Sequence, residues 1–360
     1  MQRYNIYHRR DGRWEGRISR GKGKNGKRRY QYIFAHTETQ VKNRIDEIRR
    51  NEAKISECQC CLSKAFEEWF SSVLCKIKES TAANYQMKAK KHILPYFGSK
   101  PLVSVTSADI RQFISDKQLQ GLSNRYISDI IVLIRSIFKY AVRTYHILNP
   151  MDDVFLPKKQ KSEVQLLDAD EQKSLQDYIS KNQNHTTLGI AITMSTGLRI
   201  GELCALQWKD IDLEKRILTV RKTMQRIQLP TAASKTKLII TEPKSESSKR
   251  QIPIPECVLL MLKKFKGKDD EYVISGTDKP IEPRTMQYRF SKILNNAKLP
   301  SVHFHSLRHI FASNCVRLGF DIKSLSEILG HSTVEITLNR YVHSSFEQKQ
   351  RYMERIQMNF

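Results

Sequence analysis

The chain has 360 residues, enough for two or three domains with a buried core in each. Hydrophobic residues make up 39% and charged residues 28%; no apolar run approaches the ~18 residues that a membrane span requires, which excludes a helical membrane protein and predicts a soluble one. Against 37 Asp and Glu stand 62 Lys and Arg, a formal charge of +25; surface pairing cannot absorb that surplus, so a positive field that collects polyanions is expected, with nucleic acid as the leading partner.

The first residues, "MQRYNIYHRRDGRWEGRISR", are basic and aromatic and lack the continuous apolar stretch of a secretory leader, so the protein is expected in the cytoplasm. Residues 1–55 read as a first unit. In "YNIYHRRDGRWEGRISRG" and "KRRYQYIFA" aromatic or apolar residues alternate with basic ones, and "RDGRW" and "GKGKNGK" supply turns. The pattern predicts a three-stranded sheet followed by a helix from Thr37 to about Ala53. The first 30 residues hold eleven Lys or Arg and two acids, Asp11 and Glu15. A basic β-ribbon of this kind can lie in a DNA groove, although solvated strand faces and protected sheet edges also favour Lys and Arg.

Between the first two units stands "CQCC" (Cys58, Cys60, Cys61). The nearest other candidates, Cys75 and His36, give no paired zinc spacing, so no metal is expected. The seven cysteines, odd in number and scattered, read as reduced thiols rather than a disulfide framework. A second unit, residues 62–155, is predicted helical. Phe66, Trp69, Phe70 and Val73 recur at helical spacing, as do Ile127, Ile130, Ile131, Ile134, Ile137, Phe138 and Ala141, and "TSADIRQFI" places an N-cap before an apolar face. These stripes predict core, with Lys88, Lys90, Lys91, Arg125, Arg135 and Arg143 facing outward toward phosphate.

"LPKKQKSEVQ", residues 156–165, breaks the periodicity and reads as a linker. The third unit, residues 166–360, is mainly helical, interrupted by "ILTVRKTMQ", "KLIITEP" and "RQIPIP", which alternate like strands of a small inserted sheet. The fold class predicted is α+β and multidomain: a small N-terminal sheet, a helical domain, and a mainly α domain with an inserted antiparallel sheet.

Four patches of the third unit combine cations, histidines and a tyrosine. In "STGLRIGELCALQWKDID" a helix is predicted from near Leu198, with Arg199 and Glu202 three apart on one buried face; alone, such a pair is usually a surface ion pair. "TEPKSESSKRQIPIP" reads as strand, polar turn and strand, a hairpin that carries Lys244, with Lys249 five residues on as the alternative. In "HFHSLRHIFASN", His305 and Arg308 are one helical turn apart and project the same way. "GHSTVEITLNRYVH" sets His331 ten residues before Tyr341. A lone tyrosine is commonly a core side chain, but the combined inventory is that of a metal-free phosphoryl-transfer site without cofactor. Two arginines can clamp phosphate oxygens, lysine can protonate a leaving oxygen, histidines can move protons, and tyrosine can be the nucleophile.

The set "TGLRIGEL", the hairpin lysine, "HSLRH" and "LGHSTVEITLNRYVH", in that order and spacing, resembles the tyrosine recombinase (phage integrase) family. The resemblance covers most of the chain, and the basic N-terminal sheet is similar to the arm-binding domain of integrases from phages and conjugative transposons. It implies that residues 1–55 bind arm-type DNA sites, 62–155 bind the core site and 166–360 form the catalytic domain. It further implies that Tyr341 attacks the scissile phosphate to form a 3′-phosphotyrosine and release a 5′ hydroxyl. Arg199 and Arg308 would bind the phosphate, Lys244 would act as general acid, His305 would manage the nucleophile's proton, and His331 would support the phosphate. Glu202 matches an acidic bracing position, while His303, His309 and His343 fall outside the matched set and read as structural or DNA-facing.

The implied function is integration and excision of a mobile element by site-specific strand exchange, in a homotetramer on double-stranded DNA, with an excision factor or host DNA-bending protein as further partners. The segment "SSFEQKQRYMERIQMNF" reads as a helix that docks on a neighbouring subunit. Two other readings use the same residues. A type IB topoisomerase would relax supercoils as a monomer, and a non-catalytic DNA-binding module would form no covalent adduct.

Overall fold

In the computed structural model the described residues are 4–22, 28–57, 60–158, 165–228, 236–243, 246–341, 350, 353 and 354. The chain divides into two units, Met1–Lys161 and Ser162–Phe360. Near the N-terminus the alternation forms antiparallel strands β1 (Ile6–His8), β2 (Trp14–Lys22) and β3 (Arg28–Ala35), ordered β1-β2-β3. Gly12 closes the first turn at φ 79°, where a residue without Cβ avoids the usual steric cost; the "GKGKNGK" turn lies mostly outside the described residues. Helix α1 (Glu38–Glu57) presses Val41 and Ile45 onto Ile18, Ile33 and Ala35. The opposite sheet face leaves Tyr7, Tyr32 and Phe34 exposed. Arg17 stacks over both tyrosine rings, at 4.9 and 5.3 Å, and Arg9 over Phe34 at 5.4 Å. Glu15 receives both arginines, at 2.6 and 2.7 Å, which holds the two cations in place on that face.

The helical part comprises α2 (Leu62–Leu74), α3 (Glu79–Lys88), α4 (Leu94–Phe97), α5 (Ser107–Leu119) and α6 (Asn124–Tyr145). Every residue of the expected α6 stripe, from Ile127 to Ala141, is buried, and it packs with Phe66, Trp69 and Phe70 of α2 in one core. Truncating one such side chain to alanine costs about 2–5 kcal/mol. Thr106 caps α5 in a reciprocal capping box with Asp109. Lys90, Lys91, Arg125, Arg135 and Arg143 are exposed, as the polar stripe requires. Lys88 is not: it is 7% exposed, with its ammonium 3.4 Å from Asp129 and over the Tyr126 ring. It ends α3 against α6, just before a π-helical turn at Ala89–Ile93, and the long lysine stem lets the charge reach a partner from an apolar setting.

In the second unit lie α7 (Ala169–Lys181), α8 (His185–Thr196), α9 (Ile200–Cys204), α10 (Glu256–Phe265), α11 (Pro283–Asn296), α12 (His305–Arg317), α13 (Ile322–Leu329) and α14 (Val334–Tyr341). Strands β4 (Ile211–Asp212), β5 (Ile217–Val220), β6 (Thr223–Gln228), β7 (Thr236–Thr241) and β8 (Arg250–Pro253) are inserted after α9. They form two antiparallel sheets, β4-β5-β8 and β6-β7, rather than one. Two expectations change as a result. "ILTVRKTMQ" is two strands split at Arg221-Lys222, and β7 and β8 are not a hairpin, because β7 pairs with β6 and β8 with β5. β7 and β8 therefore belong to different sheets. A core spanning α7 to α12 includes Leu175, Leu188, Leu203, Leu262, Phe290 and Leu307. A smaller cluster of Ala312, Cys315, Leu325, Leu329 and Tyr341 seats α14 on α12 and α13.

Candidate active site

Two helix ends and one strand start bring the charged groups together. Helix α8 stops at Gly197, which adopts φ 67°. The chain then extends through Leu198 so that Arg199 becomes the N-cap of α9, whose start is at Ile200 rather than Leu198. Glu202, at the third helical position, accepts the Arg199 backbone N–H at 3.0 Å and its guanidinium at 2.7 Å. From the start of β8, Arg250 donates to both oxygens of the same carboxylate, at 3.2 and 2.9 Å. Glu202 and Arg250 are buried, while Arg199 keeps about a third of its side chain open to solvent. Burial alone would raise the Glu202 pKa, but Arg250 and Arg199 outweigh it and hold the carboxylate below its usual range.

Arg308 is 2% exposed. It donates to the Gly197 carbonyl at 2.7 Å and the Leu329 carbonyl at 2.6 Å, and its Nη2 stands 3.0 Å from Nε2 of His331. Burial first, then the charges of Arg199 and Arg250, bring the Arg308 pKa down to about 9, partly opposed by Glu202 and Tyr341. It stays cationic at neutral pH, in a setting where an added anion would relieve the repulsion.

The end of α13 accounts for this arrangement. Gly330, left-handed at φ 65°, ends the helix, and the Gly330 and His331 N–H groups return to the Glu327 and Ser326 carbonyls. The next three carbonyls, of Ile328, Leu329 and Gly330, accept from Arg250, Arg308 and Arg199 at 2.5, 2.6 and 3.0 Å. Three guanidiniums thus meet the negative end of one helix.

Tyr341, at the end of α14, is 9% exposed. Its ring lies parallel to that of His331 at 6.4 Å and beside His309 at 5.5 Å, and His309 meets His305 at 4.8 Å. The Tyr341 hydroxyl is buried without a hydrogen-bond partner among the described residues. Burial raises the phenol pKa; the positive charges of Arg308, Arg340 and Arg199 pull it back without reversing the shift. His305, His309 and His331 are all pushed down to about 4, by desolvation first and then by neighbouring arginines, so each is neutral near pH 7.

The structure thus gathers Arg199, Glu202, His305, Arg308, His331 and Tyr341. Lys244 lies outside the described residues, as do Cys58, His343 and nearly all of residues 344–360. Lys249 is described: its ammonium pairs with Glu242 at 3.0 Å, and both line a cleft with Arg250 and Arg221. Sequence reading missed three residues. Arg250, within "SSKRQ", was not singled out, and Thr337, whose hydroxyl lies 2.8 Å from Nδ1 of His331, showed no signal. His309, set aside as structural or DNA-facing, is the imidazole packed on Tyr341; its signal was the spacing of four from His305 on one helix face. Among the described residues no three His, Cys, Asp or Glu side chains converge as a metal site, and no helix is long and apolar enough to cross a membrane.

The chain is similar to known proteins over most of its length. Residues 61–118 match a phage integrase N-terminal SAM-like domain. A tyrosine recombinase XerC-like protein of Caldanaerobacter subterraneus subsp. tengcongensis is 26% identical over 94% of each chain. The ICEBs1 integrase of Bacillus subtilis is 25% identical over 84% of this chain and 85% of its own. Among solved structures, the Tn1549 transposon integrase in complex with circular intermediate DNA superposes with a TM-score of 0.68 at 23% identity, covering 82% of this chain and 99% of that one. A lambda integrase dimer bound to a core site covers 99% of this chain and 98% of its own, with a TM-score of 0.61 at 18% identity, and shares the α+β fold. Residues 164–348, more than half of the chain and the part that holds the arginine, histidine and tyrosine cluster, match the phage integrase family, and the chain belongs to that family of tyrosine-type site-specific DNA recombinases.

Proposed function

We propose that Tyr341 is the nucleophile of a strand exchange that integrates and excises a mobile element. The observation that carries this reading is the packing of the Tyr341 ring against His331, whose Nε2 in turn meets Arg308. A phosphodiester entering the cationic pocket would take hydrogen bonds from Arg199 and Arg308, which stabilises the charge that develops in the transition state. The Tyr341 oxygen bonds to phosphorus, the bond to the 5′ oxygen breaks, and the phenolic proton passes toward the neutral His305, with His309 the imidazole that stands between them. The departing oxygen takes a proton from Lys244, with Lys249 the alternative. The resulting 3′-phosphotyrosine conserves the bond energy, and attack by a 5′ hydroxyl reverses the steps to rejoin DNA. Phosphate also favours catalysis on the protein side, because its charge lowers the cost of confining several guanidiniums together.

The lambda integrase tetramer has been solved on a Holliday junction. We extend that assembly to this chain as a homotetramer on two duplexes, with residues 1–55 on arm sites, 62–155 on the core site, 166–360 as catalytic domain, 156–165 as linker, and residues 344–360 docking on a neighbour. A cytoplasmic location, and an excision factor or DNA-bending protein that sets direction, belong to the same proposal. The test is recombination between plasmids carrying the DNA that flanks the coding sequence, followed by trapping on a nicked duplex of the mapped site. A protein–DNA adduct that vanishes in Tyr341→Phe is the expected result. Supercoil relaxation without recombination, or no adduct at all, would exclude it.

A further inference from the structure

Arg250 is the least exposed arginine of the cluster after Arg308, and every group it reaches belongs to the protein. Its two Nη atoms fork onto Glu202, Nη1 also donates to the Ser248 carbonyl at 3.1 Å, and Nε donates to the Ile328 carbonyl at 2.5 Å. Its fork is spent on the Glu202 carboxylate, which matches its charge within the protein, whereas Arg308 has only carbonyls and an imidazole as hydrogen-bond partners and keeps its charge for an anion. Arg250 bridges the element that carries Arg199 and the helix end that carries His331. Gly330 records how close this bridge lies: a Cβ at that position would stand 3.0 Å from Arg250 Nη1 and 3.1 Å from its Cδ.

We propose that Arg250 is a positioning residue for DNA cleavage, acting through Glu202 and the α13 terminus to set Arg199 and His331 relative to Arg308; this rests on the strand-exchange reading given above. A planar fork suits the task, since lysine would keep the charge but would replace the two-pronged grip on the Glu202 carboxylate with a single, rotatable ammonium. Displacements of about 1 Å at a reacting centre cost on the order of 100-fold in rate.

The test uses the full chain and a nicked duplex carrying the mapped cleavage site. For wild type, Arg250→Lys and Arg250→Ala, the dissociation constant is measured together with the single-turnover rate of adduct formation at saturating DNA. Arg250→Lys should bind within about threefold of wild type and cleave on the order of 100-fold more slowly, with Arg250→Ala slower again. Amide hydrogen exchange on the DNA-free chain provides the second arm. The Gly330 and His331 amides should exchange at least about tenfold faster in Arg250→Lys while those of α8 and α12 keep their protection. Cleavage at the wild-type rate, or exchange that rises equally everywhere, overturns the proposal. A wild-type chain that forms no adduct removes the strand-exchange reading itself, an outcome distinct from wild type and variant reacting alike.

Discussion

The Thr337 hydroxyl stands 2.8 Å from Nδ1 of His331, and this contact decides what His331 shows to Arg308. Arg308 has only donors, so the His331 Nε2 it meets must accept, and the ring proton therefore sits on Nδ1 and points to Thr337. The assignment follows from the hydrogen-bond pattern. Without DNA, His331 is an acceptor that helps to hold Arg308. It becomes a donor to phosphate only after a proton arrives at Nε2. Thr337→Val keeps the shape and removes the acceptor. A mixed tautomer in nitrogen NMR of His331 and a drop of about tenfold in adduct formation are expected; an unchanged tautomer would mean that Thr337 plays no part.

Tyr341→Phe should abolish the adduct while leaving DNA affinity within about twofold. Stability offers a second readout. The hydroxyl it removes is buried without a hydrogen-bond partner among the described residues, so thermal melting should stay level or rise, by up to about 1 kcal/mol of stability. A large loss would show that the hydroxyl does have a partner.

Glu202→Gln removes the negative charge between Arg199 and Arg250. Breaking a buried pair in this way costs about 3 kcal/mol at neutral pH. The wild-type carboxyl is held below its ordinary value, so its contribution is present above the unfolded pKa and is lost as pH falls through the lower, folded one. The gap between wild type and variant in chemical denaturation should therefore be full at neutral pH and shrink as pH falls into and below the ordinary carboxylate range. A gap that does not change with pH would contradict the linkage.

The three site histidines, at about 4, titrate well below an ordinary imidazole. The unfolded chain then binds more protons than the folded chain between pH 4 and about 6.5, so stability rises with pH across that window and flattens above it. Proton NMR of the DNA-free chain should place these midpoints near 4. Binding of DNA, which brings negative charge, should move them up.

On the N-terminal sheet, Arg9→Ala with Arg17→Ala removes cations held over Phe34, Tyr7 and Tyr32. If residues 1–55 bind arm sites, the double variant should lose affinity for arm-site DNA by at least about tenfold and flatten its salt dependence by about two ion equivalents. Cleavage of a core-site duplex should be unaffected. Equal loss on both DNAs would argue against a separate arm-binding role.

Much of this was legible in one dimension. The α6 stripe is a local pattern, since helical spacing of Ile127 to Ala141 needs no knowledge of the partner to predict burial. Tyr341, His331, Arg308 and Arg199 could be read because each sits at a motif of its own. Arg250 could not. Its role depends on Glu202, 48 residues away, and on Ile328, 78 residues away, and neither separation leaves a mark on the local sequence. Strand pairing failed for a similar reason. β7 and β8 are neighbours in sequence with a polar turn between them, yet each finds its hydrogen bonds in an earlier strand. Lys88 was misplaced because its burial comes from Asp129 and Tyr126, some forty residues on, which the local spacing does not show.

Gly197 ties together the supports of Arg199 and Arg308. Its carbonyl holds Arg308, and two residues later the chain reaches Arg199. A Cβ there would stand 2.5 Å from the Phe311 ring, in a left-handed backbone that side chains resist. The Gly197 carbonyl therefore anchors one guanidinium while the turn it opens delivers the other, so a residue unable to hold this backbone would loosen both supports at once.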